Sequence, residues 1–481
     1  MSNLIIAPII LPAVLAGLLV ILRPSIGLQR IISGAGALAL CVIAVMLAAQ
    51  ADTPRAYFLG NWPAPFGIAL MSDRLSSLML MLTAALGLLV LIHVASTGWD
   101  RSGKHFHTLF LFQLMGLNGA FLTADAFNLF VFFEVLLIAS YGLMVHGGGR
   151  DRLRAGVQYV AFNLLGSSLF LIALATIYAV TGTLNMADLA VKLPELPAGD
   201  SALLRVAAVL VMMVFAIKAA MVPLQFWLPA TYANAPAPVA ALFAVMTKVG
   251  AYALIRFGTL VFPTDLAATG TLIQDLLQPA AIITMVIGAI GVLGSRELPR
   301  LVAFSALGSM GLLLIAVSAF TPQATAAALY YLIHSTLAMA ALFLLSDLVP
   351  NRRDGLTAAL FMAAAVAMAG MPPLSGFVGK LLIMDALRAS APLIWTLILL
   401  SSLLTMLGLA RIGSGLFWKA EAPRPSDSIA PFAPLATVLC LSALLALTLG
   451  AGPILTWLEA TAQNLHAPAA YIAALSLGAG G

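Results

Sequence analysis

The sequence predicts an all-α, polytopic membrane protein with about fourteen transmembrane helices. The chain has 481 residues, of which 62% are apolar and only 9% are charged. A soluble domain of this length needs roughly 25% charged residues to cover its surface. Apolar stretches of about 20 residues recur along almost the whole chain, and this is the length of helix that crosses a bilayer. These observations exclude a soluble protein.

The apolar stretches divide the chain into candidate spans, and no linker or change of composition separates them. We therefore predict a single membrane domain over residues 1–481, in which residues 1–95 and 430–458 form peripheral helices. The spans lie near residues 3–22, 28–50, 72–95, 107–124, 125–146, 157–181, 203–223, 236–261, 271–295, 299–319, 323–346, 356–387, 391–418 and 430–458.

Basic residues are distributed unevenly between the two sides of this arrangement. The loops that follow odd-numbered spans hold fourteen lysines and arginines, whereas the opposite side holds six. We expect a multi-pass protein of a bacterial plasma (inner) membrane. Because positive charge is retained on the cytoplasmic side, the bias predicts that both termini lie on the non-cytoplasmic side. The first apolar stretch has no charged region before it, so we expect no cleavable signal peptide.

Two segments interrupted by proline suggest an internal repeat. Residues Met221–Trp227 (MVPLQFW) resemble Met371–Phe377 (MPPLSGF). Proline removes a backbone donor and clashes with the preceding turn, so we expect helices seven and twelve to break near Pro223 and Pro373. Breaks at corresponding positions of two halves are typical of transporter repeats, and an odd number of spans per unit would make the repeats inverted. The units are residues 106–262 and 271–418, with chance similarity as the alternative.

Four ionisable side chains lie inside the predicted spans rather than at their ends: Glu134, Lys218, Lys248 and Lys380. Glu134 lies about nine residues, or roughly 14 Å, from the start of its span, close to the membrane midplane. A charge there costs upward of about 3 kcal/mol, so it persists only when it is paired, hydrated or neutral. One carboxylate cannot pair with three ammonium groups, so some lysines must be neutral part of the time and can carry protons. The alternative is that each forms a structural ion pair or reaches the interface.

His334 is a fifth candidate for proton transfer. It lies between Lys248 and Lys380 in chain order and next to hydroxyl side chains, and an imidazole can take up and release a proton near neutral pH. A hydrogen-bonded core histidine is the alternative. Among the polar residues inside spans we favour Thr247 and Ser335 as members of the proton path, although such residues also hold membrane helices together.

The sequence contains none of the usual motifs for cofactors or metals: no C-x-x-C, no histidine cluster and no glycine-rich phosphate loop. Its two cysteines, Cys41 and Cys440, lie in separate apolar stretches and predict neither a disulfide nor a metal site. We therefore expect no cofactor, no metal ion and no nucleic-acid partner.

Several motifs together resemble one known family. They are FVFFE at 130–134, PLQFWLP at 223–229, APAPV at 235–239 and KVGAY at 248–252. This set resembles the antiporter-like membrane subunits, which include the large Mrp-type cation/proton antiporter subunits and the proton-pumping subunits of respiratory complex I. The similarity covers nearly the whole chain. Within the family, LGNWPAPFGI at 59–68 and DAFNLF at 125–130 are typical of the D subunits of the multisubunit Mrp, or Pha, antiporters.

The resemblance implies fourteen helices, two inverted five-helix repeats and broken helices seven and twelve. It also implies that Glu134 pairs with and modulates Lys218, that Lys248 is the central relay and that Lys380 is the terminal proton site. His334 falls where relatives often keep a histidine. Such a chain would be a subunit of a secondary transporter rather than an enzyme. It would assemble with Mrp subunits of types A, B, C, E, F and G and take part in exchanging Na⁺ or K⁺ for protons.

Two alternatives to this function stay open. The first is a proton-pumping subunit of complex I that is similar to its M or N subunit. Lys380 fits the Mrp D subunits, whereas the M subunit usually has a glutamate there. The N subunit also carries a lysine, so this residue alone does not exclude it. The second alternative is a membrane scaffold in which the ion pairs only fix packing.

Overall fold

The computed structural model describes residues 2–22, 25–196, 201–388, 391–418 and 432–476, and this part of the chain is almost entirely helical. In chain order its helices are α1 (Ala7–Leu22), α2 (Ile26–Ala48), α3 (Arg74–Thr97), α4 (Phe106–Leu122), α5 (Ala126–Met144), α6 (Arg150–Thr181), α7 (Met186–Lys192), α8 (Ser201–Lys218), α9 (Trp227–Asn234), α10 (Ala237–Arg256), α11 (Leu272–Gly294), α12 (Leu298–Val317), α13 (Pro322–Leu348), α14 (Gly355–Ala369), α15 (Ser375–Ala386), α16 (Ala391–Phe417), α17 (Leu435–Leu449), α18 (Ala451–His466) and α19 (Ala469–Ser476).

One antiparallel hairpin joins α2 to α3. Its strands are β1 (Arg55–Phe58) and β2 (Ala69–Ser72), in a register that pairs Arg55 with Ser72 and Phe58 with Ala69. No strand is predicted here from the sequence, because four residues are too few for an alternating pattern to be recognised.

Nine helices of the described chain are long and apolar enough to cross a membrane singly: α2, α3, α5, α6, α10, α11, α12, α13 and α16. The last turn of α10 continues as a π-helix, Phe257–Val261, which extends this span. Three shorter apolar helices, α1, α4 and α14, also coincide with predicted spans. The prediction of a mostly helical, polytopic membrane protein is therefore confirmed.

Two of the predicted spans are interrupted in the structure. The span predicted at 203–223 contains α8, which ends at Lys218, and residues 219–226 are not helical before α9 begins at Trp227. The span predicted at 356–387 consists of α14 and α15, with a left-handed Gly370 (φ 73°) after α14 and residues 371–374 between the helices. Pro223 and Pro373 lie inside these two interruptions.

The C-terminal span differs from its prediction. Residues 430 and 431 lie outside the described residues, and the remainder of the predicted span 430–458 is not one continuous helix. α17 ends at Leu449, and α18 continues at an angle of 80° after a bend at Gly450. The apolar pattern runs across this bend, which is why the sequence suggested one span. Beyond it α18 packs on the bundle: the Trp457 carbonyl accepts from Arg74, and His466 lies 3.0 Å from the Thr325 hydroxyl.

Of the nine long spans in the described chain, the two most deeply buried are α10 and α13, which carry Lys248 and His334. α10 is wholly enclosed by the rest of the described chain, and nearly all of the apolar part of α13 is buried, whereas α2, α6, α11 and α16 expose most of their apolar length. Lys248 on α10 and His334 on α13 therefore lie at the centre of the bundle, with side chains that are 0% and 1% exposed.

A glycine allows α10 to approach the end of α8. A Cβ atom at Gly250 would lie 2.5 Å from the backbone nitrogen of Ala219 and 2.7 Å from the carbonyl oxygen of Phe215. These are backbone atoms, so a side chain at this position can be accommodated only by separating the helices. Gly250 therefore places the two lysine-bearing helices, α8 and α10, in direct backbone contact.

Buried ion pairs lie at the two ends of α3, away from the mid-span charges. At the C-terminal end, Arg30 donates two hydrogen bonds to Asp100, at 2.6 and 2.7 Å. Burial alone would raise the pKa of Asp100, but hydrogen bonds from Arg30 and His107 hold that pKa well below its usual range. At the N-terminal end, Asp73 pairs with Arg256 at 2.6 Å. These pairs join α3 to α2, to α4 and to the end of α10.

We expect Gly250→Val to destabilise the protein by about 1–3 kcal/mol, because the added side chain overpacks the contact between α8 and α10. Thermal unfolding of the purified protein in detergent measures the loss as a lower midpoint. Gly34→Ala is the matched control: nothing lies within 4 Å of a Cβ at this helical glycine, so no loss is expected. A Gly250→Val variant as stable as the unsubstituted protein would contradict the packing described here.

Candidate functional site

Glu134 and Lys218 each contact α6 rather than each other. Ser167 on α6 donates a short hydrogen bond from its hydroxyl to the Glu134 carboxylate. One turn earlier on the same helix, the side-chain oxygen of Asn163 accepts a hydrogen bond from Lys218 Nζ at 3.3 Å. Glu134 and Lys218 form no ion pair within 4.0 Å in the described chain. The described chain therefore shows a side chain of α6 beside each residue rather than the direct pairing that the family resemblance implies.

The interruption after α8 places Lys218 at a helix end inside the bundle. Hydrogen bonds that involve side chains help to hold this region: Val222 donates its backbone N–H to the Thr284 hydroxyl at 3.0 Å, and the Trp227 indole donates to the carbonyl of Ile217 at 3.1 Å. Lys218 is the last residue of α8 and only 8% exposed. The carbonyl end of a helix carries partial negative charge, which favours an ammonium group at this position.

Lys248 has the most apolar surroundings of the three lysines. Its ammonium lies 3.1 Å from the sulfur of Met310 on α12, and a thioether is a weak acceptor. Thr247 precedes it and is also buried, at 1% exposed. Since Gly250 brings α10 against the end of α8, Lys218 and Lys248 lie on neighbouring, directly packed helices.

His334 is partnered by a serine other than the one favoured from the sequence. Its Nδ1 lies 2.9 Å from the hydroxyl of Ser375, the first residue of α15, after the second interruption. The hydroxyl of Ser335 instead donates to the Leu332 carbonyl of its own helix, at 3.2 Å. A Cβ at Gly376 would lie 2.8 Å from His334 Nε2, so this glycine leaves room for the imidazole.

Lys380, the last of the five candidate residues in chain order, lies at the second interruption. Its ammonium donates to the carbonyl of Ala369, the last residue of α14, and to the hydroxyl of Ser402 on α16, both at 2.8 Å. A cavity of about 20 Å³ lies beside Lys380, which is room for about one water molecule. Hydroxyl side chains from three helices line it: Ser305, Ser309, Tyr331, Ser401, Ser402 and Thr405.

The arrangement is suited to moving protons. Its ionisable groups lie on α5, α8, α10, α13 and α15, and each has a hydroxyl, amide, carbonyl or thioether within bonding distance. Within the described chain, no group of three or more His, Cys, Asp or Glu side chains is placed to hold a metal ion. Amines, imidazoles and carboxylic acids inside a bilayer exchange protons when their surroundings change.

Sequence reasoning did not single out four of these partners: Asn163, Ser167, Ser375 and Ser402. Asn163 and Ser167 are four residues apart, which places them on one face of α6. That spacing was visible in the sequence, but the same residues also commonly hold membrane helices together, and nothing in the sequence showed which helices they face. Ser375 and Ser402 come close to His334 and Lys380 only through tertiary packing.

Comparisons with known proteins agree with these features. Residues 123–407 match the family model described as NADH:quinone oxidoreductase/Mrp antiporter, TM. The probable D subunit of a K(+)/H(+) antiporter of Rhizobium meliloti is 40% identical, over 97% of this chain and 96% of its own. The D subunit of the Na(+)/H(+) antiporter of Bacillus subtilis is 39% identical over 99% of both chains. A chain in the structure of the Mrp complex from Dietzia sp. DQ12-45-1b superposes with a TM-score of 0.90 at 28% identity, covering 99% of this chain and 100% of that one.

We expect Ser375→Ala to change the environment of His334, because the buried imidazole loses a hydrogen-bond partner, at a cost of about 1–3 kcal/mol. The measurement is the ¹⁵N chemical shift of the His334 side chain, assigned by loss of its signal in His334→Gln. Ser335→Ala is the control and should leave the shift unchanged. If Ser335→Ala moves the signal and Ser375→Ala does not, the partner described here is wrong.

Proposed function

Because the chain belongs to the NADH:quinone oxidoreductase/Mrp antiporter transmembrane family, we propose that it is a D-type subunit of a multisubunit monovalent cation/proton antiporter, in which it moves protons. It is a transporter subunit of a bacterial membrane rather than a catalytic enzyme. Relatives with nearly equal identity are named for K⁺ in one case and Na⁺ in the other, so the exchanged cation is one of these two. A complex I subunit is the weaker candidate, because antiporter D subunits are 39–40% identical over nearly the full length.

The observation that carries this proposal is the row of buried ionisable groups. Three lysines and a histidine, none more than 8% exposed, lie in the interior of a membrane-spanning bundle. Such burial is costly and is usually retained for ion or proton movement. A purely structural role for Lys248 is poorly supported, because its contact is a thioether rather than a carboxylate.

We assign the roles along the row as follows. Glu134 sets the charge felt by Lys218 through α6, and Lys218 exchanges protons with Lys248 on the helix packed against it. Lys248 is the central relay, and His334 with Ser375 leads to Lys380, the terminal site. Thr247 and Ser335 were favoured as path members from the sequence; the hydrogen bond of Ser335 to its own helix supports a packing role for it. The hydroxyl-lined cavity beside Lys380 would let water take the proton onward.

The proposed architecture has fourteen spans and two inverted repeats, residues 106–262 and 271–418. The first unit would consist of α4, α5, α6, α8 with α9, and α10; the second of α11, α12, α13, α14 with α15, and α16. Support comes from the interruptions, since the fourth span of each unit is the broken one. An odd number of spans turns the second unit over relative to the first. With the positive-inside bias, this arrangement puts both termini on the non-cytoplasmic side.

Replacing Lys218 should abolish transport by the assembled antiporter. We expect Lys218→Ala to reduce cation-driven proton flux in proteoliposomes at least tenfold, because the apolar side chain cannot pass a proton. Lys192→Ala is the control: Lys192 pairs with Asp188 at 2.9 Å on the half-exposed surface of α7, and its loss should leave the flux unchanged. Unaltered proton flux in an assembled Lys218→Ala complex would contradict the proposed function.

Two further observations separate the alternatives. Replacing Glu134 and Lys218 together by leucine removes the charges without leaving one unpaired, so transport that survives this change would favour a structural scaffold. The proteins that purify with the chain distinguish the two transport complexes. Small Mrp subunits are expected here, whereas iron–sulfur and quinone-site subunits would identify complex I.

A further inference from the structure

The Ser167 hydroxyl faces two acceptors but carries one proton. Its oxygen is within hydrogen-bonding distance of the Glu134 carboxylate and 3.0 Å from the backbone carbonyl of Asn163. A serine hydroxyl can donate only one hydrogen bond at a time while it accepts others. Ser167 therefore donates either to Glu134 or to the carbonyl of Asn163, but not to both at once.

The acceptor to which Ser167 donates depends on the protonation state of Glu134. An ionised carboxylate only accepts hydrogen bonds, so Ser167 donates to Glu134 whenever that residue is charged. A protonated carboxyl carries a donor of its own and can donate to the Ser167 oxygen. The Ser167 hydrogen then turns to the Asn163 carbonyl, and the hydroxyl dipole reverses its direction along α6.

Asn163 connects this dipole to Lys218. Its amide nitrogen donates to the Tyr159 carbonyl at 2.9 Å, and its amide oxygen accepts from Lys218. An ammonium group has only donors, so the amide oxygen is the end that must face it. Asn163 is 1% exposed, and this contact is therefore not shared with bulk water.

We propose that Ser167 is a hydroxyl switch and that, together with Asn163, it transmits the protonation state of Glu134 to Lys218 through α6. The inference rests on the proposed function of the chain. With Glu134 charged, its negative charge and the hydroxyl dipole both favour an ammonium at Lys218. With Glu134 protonated, that charge is gone and the positive end of the dipole points toward Asn163, so Lys218 releases its proton more readily. Both residues are positioning residues that act through Glu134 and Lys218.

Ser168, the next residue, makes the hydrogen bond that is usual for a serine in a membrane helix. Ser168 also donates to the carbonyl four residues earlier, Leu164, at 3.0 Å, but it lies on the exposed face of α6. This back-bonding is common and needs no functional reason. Ser167 differs by having Glu134 as a second acceptor. Ser168→Ala is therefore a matched control for Ser167→Ala.

The test measures the pH profile of cation-driven proton flux in proteoliposomes of the whole antiporter complex. Ser167→Ala removes a hydrogen bond to ionised Glu134, so we expect the acid limb to move to higher pH by about one unit. Ser167→Thr keeps the hydroxyl and should restore the original profile, and Ser168→Ala should not move it. An unshifted Ser167→Ala profile, or a shift of equal size in Ser167→Thr, would overturn the inference.

A double-variant cycle tests the route through Asn163. If Ser167 acts through Asn163, combining Ser167→Ala with Asn163→Ala should slow transport no more than Asn163→Ala alone. Independent, multiplying losses would overturn the proposed connection. Failure of the switch can be distinguished from failure of the proposed transport function. A Lys218→Ala complex that still transports protons refutes proton transfer by this chain. If Lys218→Ala is inactive but the pH profile of Ser167→Ala is unshifted, only the switch is refuted.

Discussion

The cost of placing an ammonium group inside a bilayer is the constraint on which this structure depends. It amounts to about 3 kcal/mol or more for each lysine unless the protein supplies a partner. Two of the three lysines meet this cost beside an interrupted helix, but with different partners. Lys218 ends α8 and donates to Asn163 of α6, whereas Lys380 donates to the carbonyl of Ala369, which ends α14. An interrupted helix leaves carbonyl groups without helical partners in the membrane interior, and Lys380 satisfies one of them while its own charge is stabilised. The second interruption therefore helps to accommodate the charge of Lys380.

Much of this arrangement follows from local sequence. Mid-span charges stand out against apolar surroundings, and proline inside an apolar span weakens the helix, so the positions of Lys218, Lys380 and the two interruptions could be predicted. The hydrogen-bond partners of these ionisable side chains could not be predicted. Which serine faces His334 depends on how α15 packs against α13, and the partners of Glu134 and Lys218 depend on the face that α6 turns inward.

The remaining differences between the sequence-based predictions and the structure also arise from contacts between segments that are distant in the chain. The bend at Gly450 lies within a continuous apolar stretch, and beyond it α18 contacts Arg74 and Thr325, which are distant in the chain. Arg30 and Arg256 look like ordinary span-end charges in the sequence, yet each is part of an ion pair with an aspartate at one end of α3. A sequence pattern reports the surroundings along one helix, whereas these features depend on neighbours distant in the chain.

The central claim is that protons cross the middle of the bundle on ionisable side chains. Lys248 tests it most directly, because it is fully buried and, within the described residues, its ammonium lies beside a thioether. The measurement is proton flux driven by a cation gradient in proteoliposomes that contain the complex with Lys248→Met, a substitution of similar volume without an ionisable group. We expect an assembled complex with at least a tenfold loss of flux. Flux at the level of the unsubstituted complex would contradict the claim, since the proposed path has no other ionisable group on α10 at that depth.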